Sequence, residues 1–166
     1  MSEAVRVLLI SISWITIHIG SGFLAHHMPL RWFQADRWCF RSRSWEQGGA
    51  FYRRYFAVDR LRRRLPEAGS LFAGGFSKAS LLTSEPAYLA RFVAETRRAE
   101  LSHWMAVGAS LFFFFWNPLH IAIWMPVYAV ITNIPFVIVQ RAVRPRLQAL
   151  HRASLNRKKL DRAKAG

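Results

Sequence analysis

The sequence predicts an all-α protein, an integral membrane helical bundle with about three transmembrane helices and additional amphipathic helices at the membrane interface. Two stretches carry no formal charge: 19 residues from Val7 to Ala25 and 35 residues from Met105 to Val139. A helix of about 20 apolar residues crosses a hydrocarbon core of roughly 30 Å. The 24 Lys and Arg residues, against 9 Asp and Glu, cluster between and after these stretches.

The composition excludes a soluble nucleic-acid-binding protein. A net charge of +15 is typical of that class, but 52% of the residues are hydrophobic and they are concentrated in the two apolar stretches. The basic residues are therefore expected to face anionic lipid headgroups, and no nucleic acid. The single cysteine, Cys39, excludes an intrachain disulfide and a cysteine-rich metal site. At 166 residues the chain is predicted to form one membrane domain.

The first span is predicted at about 5–25. Only Arg6 precedes its apolar core, Glu3 offsets that charge, and no clear small-x-small cleavage site follows. These features favour a retained span over a cleaved signal peptide.

The second apolar stretch is too long for one crossing, since 35 helical residues extend about 52 Å. Asn117-Pro118 lies near its middle and Pro126 follows, and proline disfavours an uninterrupted helix. We predict two spans, 101–117 and 120–140, folded as a hairpin. A single long, kinked and tilted helix is the alternative.

The charge distribution predicts the orientation. Fourteen Lys and Arg residues lie in the segment 26–100 and nine in the tail 141–166. The positive-inside rule places both basic segments in the cytoplasm and the amino terminus outside.

The segment 26–100 is predicted to lie at the membrane interface. Apolar residues at near-helical spacing, with arginines between them, favour one basic amphipathic helix over 51–65, after a break at 47–49. Nonspecific attraction to anionic lipid explains the same pattern. The glycine-rich stretch 65–81 could cradle a phosphate or form an ordinary turn. A long helix is predicted to start with a Ser84 cap and Pro86 and to enter the membrane near Ser102.

Polar residues are predicted to converge at the cytoplasmic end of the hairpin. Glu100 and His103 share a helix face, and a turn near 118–121 sets them opposite Asn133 and Arg141. His103 could act as a general base that Glu100 orients, and Asn133 could donate to an oxyanion. An anionic donor could be held by arginines, namely Arg97, Arg98, Arg141 and Arg144.

Other interpretations remain open. Glu100 could simply pair with a basic neighbour, and Asn133 could join helices. Glu100-x-x-His103, completed by His26, His27 or His120, could bind metal in an intramembrane hydrolase. We predict no metal site, because one such motif is weak evidence. A non-enzymatic membrane interaction protein is the third hypothesis.

Four blocks follow one another along the chain: LPEAGSLFAGGFSKASL, ETRRAELSHW, NP and TNIPFVIVQRAVRPRL. In this order they resemble the glycosyl-4,4'-diaponeurosporenoate acyltransferase family, small bacterial membrane proteins of carotenoid biosynthesis. The resemblance extends from about Tyr52 to Leu147. Where the family has an aromatic residue and an asparagine, this chain has Ala142 and Val143, and it also departs at 61–64.

The resemblance implies an O-acyltransferase that esterifies a sugar hydroxyl of a lipid-linked sugar, with acyl-CoA as a possible donor and no other cofactor. It implies lipid or glycolipid as the substrate partner, and a multi-pass protein of the bacterial inner membrane. The residues that match the family pattern are Glu100, His103, Asn117, Asn133, Gln140, Arg141 and Arg144. Asn117, Gln140 and His120 are predicted to contact the substrate.

Overall fold

The computed structural model describes residues 2–65 and 81–165, and every regular element within them is helical. Three 3₁₀ helices cover Leu30–Phe33, Ser44–Gly49 and Ser110–Phe115. The α-helices are α1 (Glu3–His27), α2 (Ala50–Tyr55), α3 (Val58–Arg64), α4 (Pro86–Ala109), α5 (Leu119–Ala122) and α6 (Trp124–Ala165).

Helix α1 presents an apolar surface outward along most of its length. Only Ser21 and Ala25 are buried in it, whereas large apolar side chains such as Val7 and Ile15 are exposed. Its Trp14 ring packs 4.9 Å from Phe113. A helix of this composition with its apolar side chains exposed suits a lipid environment.

The prediction of about three spans is not confirmed. In the described parts of the chain, two helical stretches are long and apolar enough to cross a membrane, Glu3–His27 and Leu119–Lys164. Helix α4 carries charged residues in its middle and leaves the regular α-helical geometry after Ala109. The predicted span 101–117 is therefore the end of α4 followed by a 3₁₀ helix.

The chain reverses direction at 116–118, as Asn117-Pro118 predicted. Helix α4 packs mainly against α6 and also against α1. The α4–α6 contacts join Leu89 to Leu147 at one end and His103 to Asn133 at the other, so the two helices are antiparallel. This geometry matches the hairpin interpretation and not the single long helix.

The single amphipathic helix predicted over 51–65 is two helices, α2 and α3. Ala57 has a left-handed conformation with φ 45°, which interrupts α-helical geometry. Tyr52 and Val58 are buried against Ile138 and Ala142 of α6. The apolar face of this segment therefore packs on protein, while its arginines are exposed.

Gly49 permits this packing. The predicted break at 47–49 has positive φ at all three residues, and φ of Gly49 is 86°. A Cβ added there would lie 2.6 Å from the Ala142 carbonyl oxygen. Glycine thus lets the start of α2 touch the backbone of α6.

The start of α4 differs slightly from expectation. Pro86 is the first helical residue, as predicted, but the N-cap is Glu85 and no side chain caps the helix. The predicted Ser84 cap is wrong by one residue. The glycine-rich stretch 65–81 lies almost wholly outside the described residues.

Candidate functional site

Glu100 is fully buried between α4 and α6, with 0% of its surface exposed. Its Oε1 accepts a hydrogen bond from Arg141 Nε at 2.7 Å, and its Oε2 accepts one from Arg144 Nη2 at 2.5 Å. Trp104 Nε1 also donates to Oε1, at 3.4 Å. A buried carboxylate is tolerated only with such paired and hydrogen-bonded charges.

Glu46 is a second buried carboxylate, 1% exposed, in the 3₁₀ helix Ser44–Gly49. Arg141 Nη1 donates to its Oε1 at 2.6 Å, and Arg141 Nη2 donates to the Cys39 carbonyl oxygen at 2.9 Å. Arg141 therefore links both carboxylates. Sequence reasoning missed Glu46, although it is the one acidic residue between Asp36 and Asp59 in a strongly basic segment.

Arg144 is 1% exposed and binds the protein through all three guanidinium nitrogens. Beyond Glu100, it donates from Nε to Thr96 Oγ1 at 2.9 Å, and from Nη1 to the Phe40 carbonyl oxygen at 3.0 Å. Its Nη2 also donates to the Thr96 carbonyl oxygen at 3.2 Å. The side chain thereby fastens α6 to α4 and to the segment before α2.

The other two predicted donor-binding arginines hold α4 to the chain that follows α1. Arg97 donates to the carbonyl oxygens of Phe33 and Gln34, at 2.7 and 2.9 Å, and to Asp36 Oδ1 at 2.9 Å. Arg98 donates to the carboxylate of Glu95 and to a backbone carbonyl. Donor binding by these arginines stays a prediction.

His103 faces Asn133 across the hairpin. The two are joined by a 2.9 Å hydrogen bond between Nδ1 and Oδ1, and Phe136 stacks on the imidazole at 4.5 Å. Asn133 Nδ2 donates to the Ala129 carbonyl oxygen at 2.9 Å and to Thr132 Oγ1 at 3.2 Å. These bonds orient the amide so that Oδ1 accepts from Nδ1–H, and that tautomer places the imidazole lone pair on Nε2.

The predicted convergence is therefore present, with a different pairing. The sequence predicted that Glu100 orients the His103 ring. In the structure Asn133 is hydrogen-bonded to Nδ1 of His103, and Glu100 pairs with Arg141 and Arg144. Asn133 was expected to donate to an oxyanion, and its amide hydrogens are directed at Ala129 and Thr132 instead.

Three further predicted residues lie elsewhere on the hairpin. Gln140 is partly buried, next to Arg141. Asn117 is buried at the turn, where its Nδ2 donates to the Phe113 carbonyl oxygen at 3.1 Å. His120 is exposed in α5. Asn117 and His120 are at the far end of the hairpin, roughly 20 Å from His103 by helix rise.

The histidines predicted as possible metal ligands do not gather around Glu100 and His103. Across residues 2–65 and 81–165, no three His, Cys, Asp or Glu side chains form a group that could hold a metal ion. His27 Nδ1 lies 2.9 Å from the Phe23 carbonyl oxygen within α1.

Tyr52 of α2 lies next to the carboxylate–arginine cluster, which consists of Glu46, Glu100, Arg141 and Arg144. Burial raises the pKa of its phenol to about 12; the neighbouring Glu46 adds to the increase, and Arg141 opposes it. The phenol therefore stays protonated next to Glu46 throughout the physiological pH range.

Comparison with known proteins agrees with the family resemblance. The family model described as glycosyl-4,4'-diaponeurosporenoate acyltransferase matches residues 36–153. Proteins of that name from Staphylococcus aureus are 28% identical (strain bovine RF122 / ET3-1) and 29% identical (strain Newman) over 142 residues, 86% of this chain and 86% of theirs. No solved structure matches the chain significantly.

The matched region contains the carboxylate–arginine cluster and the His103–Asn133 pair. It begins before Glu46 and ends after Arg144, so it includes Glu100, His103 and Asn133 as well. Because the family model covers well over half of the sequence, the chain belongs to the glycosyl-4,4'-diaponeurosporenoate acyltransferase family.

Proposed function

We propose that this chain is a membrane-bound O-acyltransferase that esterifies a sugar hydroxyl of a glycosylated carotenoid-like lipid. Family membership and the names of the bacterial relatives support the reaction and the acceptor class. The observation that carries the mechanism is the His103–Asn133 hydrogen bond, because it directs the basic imidazole nitrogen away from Asn133.

His103 acts as the general base in this proposal. Its Nε2 takes the proton of the acceptor hydroxyl while the hydroxyl oxygen attacks the carbonyl carbon of the acyl donor. The tetrahedral intermediate then collapses, the bond from carbon to the leaving group breaks, and the imidazolium returns its proton to the leaving group. The donor is a thioester such as acyl-CoA, so the hydroxyl proton of the acceptor ends on the thiol that leaves.

Asn133 is a positioning residue for His103. Its Oδ1 accepts the Nδ1–H hydrogen bond in both protonation states of the ring and so favours the tautomer that has its lone pair on Nε2. We assign it this role in place of oxyanion binding, because both amide hydrogens are already donated within α6.

Glu100 contributes through the arginines. With Glu46, it neutralises Arg141 and Arg144 and fixes α4 against α6, which sets the position of His103 one turn further along α4. Among the four predicted arginines we assign Arg97, Arg98 and Arg144 to holding the fold, since each donates to protein carbonyls as well as to a carboxylate. Arg141 shares this role through Cys39.

The acceptor enters from the bilayer in this proposal. Helix α1 crosses the membrane with the amino terminus outside, and the end of α4 with the following 3₁₀ helix returns to the outer side. The apolar part of α6 then crosses back, so that the carboxylate–arginine cluster lies at the cytoplasmic interface. The exposed apolar surface of α1 and of the hairpin supports a lipid-facing position for these elements. Asn117, Gln140 and His120 remain candidate contacts for the lipid substrate.

His103→Ala tests the proposal. In purified protein supplied with a glycosylated carotenoid acceptor and acyl-CoA, we expect kcat to fall by about 10²- to 10⁴-fold, the usual contribution of a general base. His151→Ala is the matched control, because it removes an imidazole from α6 beyond the site, and thermal melting checks the fold of both variants. Full acyl transfer by folded His103→Ala protein would refute the mechanism.

A further inference from the structure

A concave site lies beside the part of α6 that follows the apolar stretch, away from His103. Its volume is about 610 Å³, and it is bounded by α3, by the end of the segment before α2, and by α6 from Ala142 to Leu150. Cavities of this size accommodate organic cofactors and drug-sized ligands. The sequence predicts contact with anionic lipid for the arginines of α2 and α3, and no specific ligand for the residues that line this cavity.

The lining combines cationic and apolar groups. Arg53, Arg62 and Arg146 contribute three positive charges, against one negative charge from Asp59. The apolar part of the wall includes Phe92 and Leu147, which belong to the α4–α6 core. A site with this lining suits an elongated ligand that carries phosphate groups and also an apolar part.

The backbone of α6 holds one of these arginines at the cavity. Arg53 Nη1 donates to the Ala142 carbonyl oxygen at 3.1 Å, so the guanidinium is held against α6. Arg146 stands one turn further along α6 and is exposed. Both guanidinium groups line the cavity, and guanidinium groups bind phosphate through paired, charge-assisted hydrogen bonds.

The position of the cavity distinguishes a water-soluble ligand from a membrane lipid. The uncharged stretch ends at Val139, and Leu150 lies about 16 Å beyond it along α6. Phosphates of bilayer lipids lie near the end of the apolar segment, whereas a soluble ligand can reach the full length of the cavity. Arg146 is roughly 20 Å along α6 from Asn133, so only a long donor could span from this site to His103.

We propose that this cavity binds the phosphate-bearing end of an acyl-CoA donor, whose acyl thioester extends along α6 towards His103. The inference rests on the proposed acyl transfer, because it locates the donor of that reaction. It differs from the donor site predicted from the sequence, whose four guanidinium groups bind the protein itself, namely those of Arg97, Arg98, Arg141 and Arg144.

The affinity of the protein for coenzyme A tests the proposal independently of catalysis. The full chain is placed in nanodiscs of phosphatidylcholine and titrated calorimetrically with coenzyme A. We expect saturable binding that Arg146→Glu and Arg62→Glu each weaken at least tenfold, since a charge-assisted contact is replaced by repulsion. Asp59→Asn should tighten binding, and added salt should weaken it.

Arg157→Glu is the matched control, because it makes the same charge change on an exposed position further along α6. It should bind coenzyme A as the unmodified protein does. Equal weakening by Arg157→Glu, or no binding by folded unmodified protein, would overturn the proposal. Displacement of bound coenzyme A by glycerophosphoglycerol, the soluble headgroup of phosphatidylglycerol, would assign the cavity to a lipid headgroup and overturn it as well.

Kinetics separates this inference from the acyltransferase mechanism. Arg146→Glu should raise KM for acyl-CoA by about tenfold and leave kcat nearly unchanged, whereas His103→Ala should lower kcat and keep coenzyme A affinity. An unchanged KM in Arg146→Glu would refute the donor site while acyl transfer stood. Coenzyme A binding at this cavity together with full activity of His103→Ala would refute only the mechanism.

Discussion

Glu100 has no exposed surface and accepts hydrogen bonds from two guanidinium groups, so removal of its charge should lower the free energy of unfolding. In Glu100→Gln, Arg144 would keep its positive charge in a buried site without a carboxylate partner. We expect the free energy of unfolding to fall by about 3 kcal/mol or more, as for other broken buried ion pairs. Denaturant unfolding in detergent, followed by circular dichroism, measures the change.

Asp161→Asn removes an exposed carboxylate near the end of α6 and should alter the free energy of unfolding by less than about 0.5 kcal/mol. If Glu100→Gln were as stable as this control yet inactive, Glu100 would belong to the chemistry and not to the framework assigned here.

The raised pKa of Tyr52 predicts that the folded protein loses stability at alkaline pH. Its pKa is about 12 in the folded protein, above the ordinary value of 10.0, because of burial and the nearby Glu46. The unfolded chain therefore loses the phenolic proton at lower pH than the folded chain, and stability must fall as pH rises from about 10 to 12.

In Tyr52→Phe this component of the alkaline decline is absent. Comparing the unfolding midpoints of the two proteins between pH 8 and about 11 measures it. Parallel profiles for the two proteins would show that the phenol has no raised pKa in the folded state.

At the scale of elements, Gly49 sets the contact between α2 and α6. Gly49→Ala would place a methyl group 2.6 Å from the Ala142 carbonyl oxygen, at a residue with φ 86°. We expect a loss of roughly 1–3 kcal/mol in the free energy of unfolding, from strain and displacement of α2. Thermal melting of the purified variant tests this.

Gly20→Ala is the matched control, because nothing lies within 4 Å of a Cβ added at that position of α1. Alanine favours a helix over glycine, so this variant should be as stable as the unmodified protein or slightly more so. A Gly49→Ala protein that melts like Gly20→Ala would contradict the close approach of α2 to α6.

The elements also show what sequence patterns could and could not predict. The one-turn spacing of Glu100 and His103, with the break at Asn117-Pro118, was enough to place both opposite Asn133 and Arg141. The contacts of Arg141 with Glu46 and of Arg144 with Phe40 were not predictable in the same way. These partners lie 95 and 104 positions apart in sequence and outside the hairpin, and helical periodicity carries no information about such contacts.

The number of spans stays unconfirmed for a related reason. Residues 101–117 are apolar enough to resemble a span, but the α-helix ends at Ala109 and a 3₁₀ helix continues to Phe115. Likewise the arginine-rich pattern of 51–65 has helical spacing on both sides of Ala57, whose left-handed backbone no periodicity indicates. Hydrophobic pattern predicts which face is apolar, and tertiary contacts decide where a helix ends.

For the whole molecule, orientation in the membrane is testable through the single cysteine. Cys39 is exposed and lies after α1, so the predicted topology places its thiol in the cytoplasm. A membrane-impermeant maleimide should leave Cys39 unlabelled in intact cells and label it after permeabilisation. Mass spectrometry of the purified protein measures the labelled fraction.

The matched control combines Cys39→Ser with Ser2→Cys, which moves the thiol to the other end of α1. This variant should be labelled in intact cells. Labelling of Cys39 itself in intact cells would reverse the topology and put the carboxylate–arginine cluster on the outer side.

Glu46, Glu100, Arg141 and Arg144 together carry no net charge, although they belong to a chain with a formal charge of +15. Buried Arg97 is likewise paired, with Asp36, so in the described parts of the chain the surplus of cations lies on the surface. High ionic strength should weaken adhesion to an acidic bilayer surface and leave the interior pairing intact, so that electrolyte sensitivity and conformational integrity are governed by separate sets of side chains.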